Sequence, residues 1–360
     1  MTSFAPPHRT TFDASTAPLL SLLHPMRLLL CCLLLLGTFS RDVFAADTPA
    51  PASPQVVPKA PTESPAPAPR RPPTRENVPY GTHPRQVLDV WQAPSNRPTP
   101  VVLHIHGGGW VNGDKAVVAD LDRYLAAGIS VVSINYRFVT QAIDAGVKPP
   151  VQWPLEDAVR ALQFVRSQAR AWNLDPTRIG ATGASAGACS SLYLAFHRDF
   201  ADPASSDPIS RESTRLDCAA VYVAQTTLDP KQMIEWTPNS RYGGHAFGFM
   251  PDTKNLTTRD TQFAAFLAAR EELLPWIQAY SPWEHISADD PPIYLLYRDT
   301  PALGQPAKDP THTANFGVKL EEKLRATGVP CELVYPGGPP ASHPQIVDYL
   351  IARLGRTGSR

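Results

Sequence analysis

Arg178-Ile179-Gly180-Ala181-Thr182-Gly183-Ala184-Ser185-Ala186-Gly187-Ala188-Cys189 decides the fold. Arg178 to Thr182 reads as a short strand, and the small residues that follow Ser185 read as a helix running to about His197. Between them a strand must turn sharply into a helix with a serine at the turn. Glycines two positions before and two after the serine remove side chains that would collide there. The first amides of the new helix then face whatever sits over Ser185. Gly-x-Ser-x-Gly is common by chance, so the strand and helix around it carry the reading.

The neighbouring segments repeat this alternation. Val87 to Trp91 alternates as a strand, and Val101 to Ile105 is an apolar run suited to a strand covered on both faces. Ile129 to Ile134, Ala219 to Ala224, Ile293 to Tyr297 and Cys331 to Tyr335 read as further strands. Leu155 to Ala171 carries an apolar stripe at helical spacing (Leu155, Ala158, Val159, Leu162, Val165). Asn315 to Ala326 and Gln345 to Leu354 read as helices. Such alternation predicts an α/β fold, a mostly parallel central sheet with helices on both faces. Arg198 to Asp217 is polar and turn-rich. About residues 229–292 break the pattern with an aromatic-rich insertion, read as a cap over the substrate side. No internal repeat is evident.

The N-terminal part differs in kind. Met26-Arg27 precedes a leucine run from Leu28 to Leu36, and Val43-Phe44-Ala45 offers small residues at a cleavage site, so residues 1–46 read as a signal-peptide region with translation starting at Met26. The run is short for a membrane span, although an uncleaved leader would tether the protein. Residues 47–79 are rich in Pro, Ala, Thr and Ser and read as a disordered linker. The catalytic body is expected over 80–360, and the protein is expected to be secreted or periplasmic.

Thirty-three basic and 33 acidic residues leave no net charge, which argues against an electrostatic grip on nucleic acid. Cys31 and Cys32 fall in the leader, leaving Cys189, Cys218 and Cys331 without metal-type spacing. They read as buried small hydrophobes, with a Cys189–Cys218 bridge open in an exported protein.

A second motif, His106-Gly107-Gly108-Gly109-Trp110, follows the strand Val101 to Ile105. Consecutive glycines let backbone amides approach a bound group, and each amide aimed at a developing oxyanion lowers a barrier by about 3 kcal/mol. A phosphate loop would need a Lys-Ser/Thr ending that is missing here.

With both motifs in place, the chain from about Arg85 to Leu354 resembles the α/β-hydrolase family. The likeness is to its esterase branch with a His-Gly-Gly-Gly-Trp loop, the hormone-sensitive-lipase-like, carboxylesterase and BD-FAE-like proteins. Asn135-Tyr136-Arg137, Pro154-Leu155-Glu156-Asp157 and Asp175-Pro176-Thr177-Arg178-Ile179 carry the likeness further. The resemblance implies Ser185 as nucleophile, Gly108, Gly109 and Ala186 as oxyanion donors, and no metal or organic cofactor. It implies an acid and then a base after the serine. Counting back from Leu320 favours Asp309 as the acid, whereas counting forward from the strand Ile293 to Tyr297 favours Asp299. His343, the histidine after the last strand, is expected as the base, with His312 as the fallback. His104 and His106 are expected to support the glycine loop, and His245 to belong to the cap. Asp157 precedes the serine and reads as structural.

The implied activity is a serine carboxylic-ester hydrolase working through an acyl-enzyme. Its partner would be a small-molecule or carbohydrate ester, and acetylated or feruloylated carbohydrate suits an exported enzyme. The same residues would serve an amide hydrolase (an arylformamidase or serine peptidase). The altered acid and histidine loops leave room for a catalytically silent binding protein.

Overall fold

The computed structural model describes residues 71–250 and 256–356, with the side chains of 256 and 257 excepted. The leader and most of the expected linker lie outside the described residues. Eight strands form one sheet: β1 Arg75–Pro79, β2 Val87–Trp91, β3 Thr99–Ile105, β4 Ser130–Ile134, β5 Leu174–Ala184, β6 Cys218–Tyr222, β7 Ile293–Leu296 and β8 Cys331–Val334. Their order is β1-β2-β4-β3-β5-β6-β7-β8. β2 is antiparallel to both β1 and β4, and every later pairing is parallel. This is the mostly parallel α/β sheet that the alternation of segments implied, and the α/β-hydrolase fold that the family resemblance implied.

The alternation of side chains along the central strands explains the layering. Val101, Leu103 and Ile105 of β3 enter one core with Val132 and Ile134 of β4, while Val102 and Val131 enter the other. The first core is closed by α2 Val139–Asp144, α3 Gln152–Ser167 and α4 Ala186–Phe196. α1 Leu121–Ala126 and α9 Ile346–Leu354 close the second, and Val347, Leu350 and Leu354 of α9 are fully buried there. Such strands bury both faces, which is why they read as unbroken apolar runs.

β1 corrects the linker boundary. Residues 75–79 fall inside the stretch expected to be disordered, yet they pair with β2. The strand carries no apolar alternation because it is a half-exposed edge. It is held through backbone bonding and by the Asn77 amide, which donates to buried Asp89 at 2.8 Å.

The inserted cap comprises α5 Pro230–Trp236, α6 Leu256–Ala268 and α7 Arg270–Tyr280, with short 3-10 turns at Gly244–Phe247 and Pro282–His285. Asp229 starts it by accepting the Lys231 amide at 2.8 Å, which caps α5. The Arg270 guanidinium closes on the same carboxylate with two bonds of 2.8 and 2.6 Å, tying the start of the cap to α7. α8 Asn315–Thr327 leads from the last insertion into β8 and ends at Gly328, whose φ of 79° is the left-handed geometry of a helix stop. Cys189 and Cys218 are buried, and both they and Cys331 are free thiols, so the Cys189–Cys218 bridge is not formed.

Candidate active site

Ser185 sits where β5 ends and α4 begins, with φ 53° and ψ −122°. That is a strained backbone for a residue with a side chain, and the surroundings hold it there. Its amide donates to the Tyr222 carbonyl at the end of β6 (3.1 Å), and its carbonyl accepts from Cys189 (2.9 Å). The flanking glycines are required by contact. A Cβ on Gly183 would fall 2.4 Å from the Ile105 carbonyl oxygen, and one on Gly187 2.0 Å from the same atom.

The glycine loop leaves β3 against this turn. A Cβ on Gly107 would lie 2.7 Å from the Ala184 carbonyl oxygen and 3.6 Å from Ser185 Cβ. Gly108 and Gly109 have φ of 99° and 60°. Ala186, at the start of α4, is fully buried. The loop is braced from behind. The Tyr136 hydroxyl donates to the His106 carbonyl at 2.8 Å and to that of Gly107 at 3.1 Å, and its ring stacks on His106 at 4.2 Å. Trp110, fully buried, donates from Nε1 to Ser190 Oγ at 3.0 Å. His104 bonds Ser133 at 2.9 Å through Nδ1, and burial lowers its pKa to about 4, so it is neutral under ordinary conditions. His245 packs beside Gly109 and is likewise held at about 4 by burial, against an upward pull from the Gly109 backbone; among the described residues its Nε2 has no partner of good geometry. Asp157 takes bonds from Gln86, from the Arg137 amide and from the Arg137 guanidinium, a structural knot remote from Ser185 in its bonding.

The imidazole that meets Ser185 is His312. Its Nε2 lies 3.0 Å from Ser185 Oγ, and its Nδ1 lies 2.9 Å from Asp309 Oδ2. Asp309 and His312 share one turn, closed by the His312 amide donating to the Asp309 carbonyl at 3.2 Å. Ser185, Asp309 and His312 therefore follow one another in the chain, the last two only three residues apart. Arg298 Nη2 stands 3.8 Å from the same Asp309 oxygen, and its guanidinium lies over Tyr222. Asp299, the other candidate acid, accepts the Ala314 amide at 3.0 Å and supports the start of α8.

His343 is placed elsewhere, which corrects its expected role as base. Its Nδ1 and amide both bond the Glu332 carboxylate at 2.8 Å, and its carbonyl accepts the Tyr294 hydroxyl at 2.8 Å. Thr182, Ala220, Tyr294 and Glu332 lie in register across β5, β6, β7 and β8. Glu332 is thus three strand spacings from β5, about 14 Å, and Ser185 lies three residues further along, about 10 Å. A histidine clamped to Glu332 cannot span the roughly 17 Å that result. The long loop folds back along the outer strand, where Tyr349 packs edge-on against His343.

The sequence alone marks His312 only as a fallback, because the family's histidine is expected after the last strand. Sequence reasoning missed Tyr136 as the brace of the glycine loop. It also missed Asn315, which donates to the Trp236 carbonyl, to Thr237 Oγ1 and to Ala302 while accepting from the Ala302 amide, and so fastens the proline-rich insertion to the cap. Two hollows flank the site. One, of about 260 Å³, is bounded by Gly109, Val111, Tyr242, Phe249, Phe263 and Thr311 and is mostly apolar. The other, of about 750 Å³, is bounded by Arg298, Asp299, Lys308, Asp309 and His312. Chemically, the arrangement offers a hydroxyl whose proton can pass to an oriented imidazole, next to a loop of freely approachable amides.

Comparison with known proteins places the fold and the family. Esterase LipC of Mycobacterium tuberculosis is 33% identical over 157 residues, 42% of this chain and 35% of LipC. The chain thus spans about a third of the length of that relative. Among solved structures, the bifunctional GH43-CE protein of Bacteroides eggerthii superposes with a TM-score of 0.56 at 19% identity, over 78% of this chain and 38% of that one. The acetyl ester-xyloside bifunctional hydrolase of Caldicellulosiruptor lactoaceticus superposes at 0.51 with 24% identity, over 69% and 76%. At these identities the two structures share the fold. The BD-FAE family profile matches residues 88–303, more than half of the sequence, and the chain belongs to the BD-FAE family.

Proposed function

We propose that the protein is a serine carboxylic-ester hydrolase with Ser185 as nucleophile, His312 as general base and acid, and Asp309 as the carboxylate that orients the imidazole. The observation that carries this is the continuous chain of bonds from Ser185 Oγ through His312 to Asp309, at 3.0 and 2.9 Å. Ser185 Oγ attacks the ester carbonyl carbon while its proton passes to His312 Nε2. The carbonyl oxygen becomes an oxyanion facing the amides of Gly108, Gly109 and Ala186. As the intermediate collapses, His312 returns the proton to the leaving alkoxide and the acyl group remains on Ser185. Water then gives a proton to His312, attacks the acyl carbon, and releases the acid with Ser185 Oγ reprotonated.

Within that class we infer an acetylated or feruloylated carbohydrate as substrate and an exported protein as its carrier. The superposed structure named an acetyl ester-xyloside bifunctional hydrolase supports the first inference, and the leucine-rich leader of the sequence supports the second. The apolar hollow beside Gly109 suits the acyl side of such an ester. Labelling with a serine-reactive fluorophosphonate tests the chemistry: modification is expected at Ser185 in the folded protein and absent in Ser185→Ala. A protein that labels nowhere would instead be a hydrolase fold used for binding. Rates on short aryl acetates, acetylated xylan, methyl ferulate and formylkynurenine separate the substrates, and a preference for the last would replace the ester reading with an amide one.

A further inference from the structure

Gln225 lies just beyond β6, is fully buried, and no step above uses it. Its Nε2 donates to the Thr311 carbonyl at 2.6 Å and, more weakly, to the Val223 carbonyl at 3.4 Å. Thr311 is the residue before His312, inside the turn that carries the acid and the base. The segment around Gln225 is itself fixed: the Tyr297 hydroxyl donates to the Ala224 carbonyl at 2.8 Å, and Thr226 Oγ1 to the Phe316 carbonyl at 3.0 Å. Three residues earlier, the Tyr222 carbonyl receives the Ser185 amide. The end of β6 therefore holds the nucleophile through Tyr222 and the base through Gln225. The segment that brings His312 there is by contrast rich in proline and half exposed, with Leu303 and Asp309 open to solvent. A buried amide donor on a fixed strand end, bonded to one carbonyl of an otherwise open turn, sets where that turn sits.

We propose that Gln225 is a positioning residue of the ester hydrolase, holding the Thr311 carbonyl so that His312 Nε2 stays in reach of both Ser185 and the departing oxygen. The proposal rests on His312 being the base. Displacing an imidazole by about 1 Å costs about a hundredfold in rate, and the loss falls hardest where the proton it delivers is needed most. p-Nitrophenolate leaves without a proton, whereas an alkoxide must take one from His312.

The test is Gln225→Met, which keeps the volume and removes the donor, with Gln225→Asn beside it, which keeps the amide but withdraws it by about one bond length. kcat/KM is measured on p-nitrophenyl acetate and on an alkyl acetate, and thermal unfolding is followed for both variants. The expected result is a loss of about tenfold on the aryl ester and about a hundredfold or more on the alkyl ester. Should the methionine variant fail to fold, the asparagine variant is read in the same way. Equal losses on the two esters, or losses under about twofold, would overturn the proposal and leave Gln225 a packing residue. His312→Ala is assayed in parallel. If it keeps full activity, the base assignment itself fails; if it is inactive while the Gln225 variants lose equally on both esters, only the positioning role fails.

Discussion

Replacing His312 and His343 separately by alanine is the sharpest test of the site, because the two histidines have similar surroundings and opposite expected outcomes. Each ring is about a quarter exposed and each has Nδ1 on a carboxylate, His312 at 2.9 Å from Asp309 and His343 at 2.8 Å from Glu332. They differ at the other nitrogen, since only His312 is bonded to Ser185, at 3.0 Å. His312→Ala removes the proton acceptor of acylation and the donor to the leaving group. Loss of such a base lowers kcat by about four to six powers of ten, or ~5.5–8 kcal/mol of barrier. His343→Ala removes a charge-assisted bond and leaves Glu332 partly hydrated, costing about 1–2 kcal/mol of stability and a few degrees of Tm in a domain this size. Its kcat/KM should stay within about twofold of the parent. The assay is hydrolysis of a short-chain aryl ester, with fluorophosphonate labelling as a second readout and melting curves as the control for folding. An active His312→Ala beside an inactive, folded His343→Ala would refute the geometry on which the mechanism rests.

Asp309→Asn should cost about 10²- to 10³-fold in kcat/KM, less than a fully buried acid would, because the Asp309 side chain is 51% exposed and water can take part of its role. Asp299→Asn keeps an oxygen to accept the Ala314 amide and should stay within about threefold, so a larger loss at Asp299 than at Asp309 would reverse the assignment. Ser185→Gly should melt above Ser185→Ala by about 1 kcal/mol, since glycine relieves a strain of about 1–3 kcal/mol at φ 53° and gives back part of it in unfolded-chain entropy; equal melting temperatures would show an unstrained turn. Burial holds His104, His197 and His245 at about 4 in the folded protein, below the ordinary 6.5. The unfolded chain then binds more protons, so stability is whole above about pH 6.5 and declines as the pH falls toward 4. A melting temperature that stays flat from pH 7 to about pH 4.5 would contradict this.

The layered sheet was legible because its central strands are buried on both faces. Val101-Val102-Leu103 and Val131-Val132 announce themselves as apolar runs whatever their partners. The turn at Ser185 was legible for a local reason: a Cβ on Gly183 or Gly187 would fall 2.4 or 2.0 Å from a single carbonyl oxygen, so the turn is written into consecutive residues. β1 was hidden because an edge strand needs only backbone pairing on one side, and Arg75-Glu76-Asn77-Val78-Pro79 shows no pattern of burial. The placement of His312 was hidden because it depends on contacts far apart in the sequence. Thr311 meets Gln225 across 86 residues, and Asn315 meets Trp236 across 79. No local pattern records such pairings, and the expected order of serine, acid and base came from the family resemblance.

The two histidine loops also show why the earlier one reaches Ser185. β8 is an outermost strand and only four residues long, with every residue partly exposed, so the loop after it packs at the sheet edge, away from Ser185. It bonds back to Glu332 and Tyr294 and stays at the sheet edge. The segment between β7 and α8 lies instead between two fixed bodies. The cap grips it through Asn239, which exchanges two bonds with Ala307, and through the carbonyl of Trp236, while the end of β6 grips it through Gln225. Its prolines restrict the unfolded chain and lower the entropy lost on ordering. Placing acid and base three residues apart on that segment has a consequence for any movement of the cap. Asp309 and His312 must shift together, so a displaced cap would lengthen the bond from His312 to Ser185 before it broke the one from His312 to Asp309.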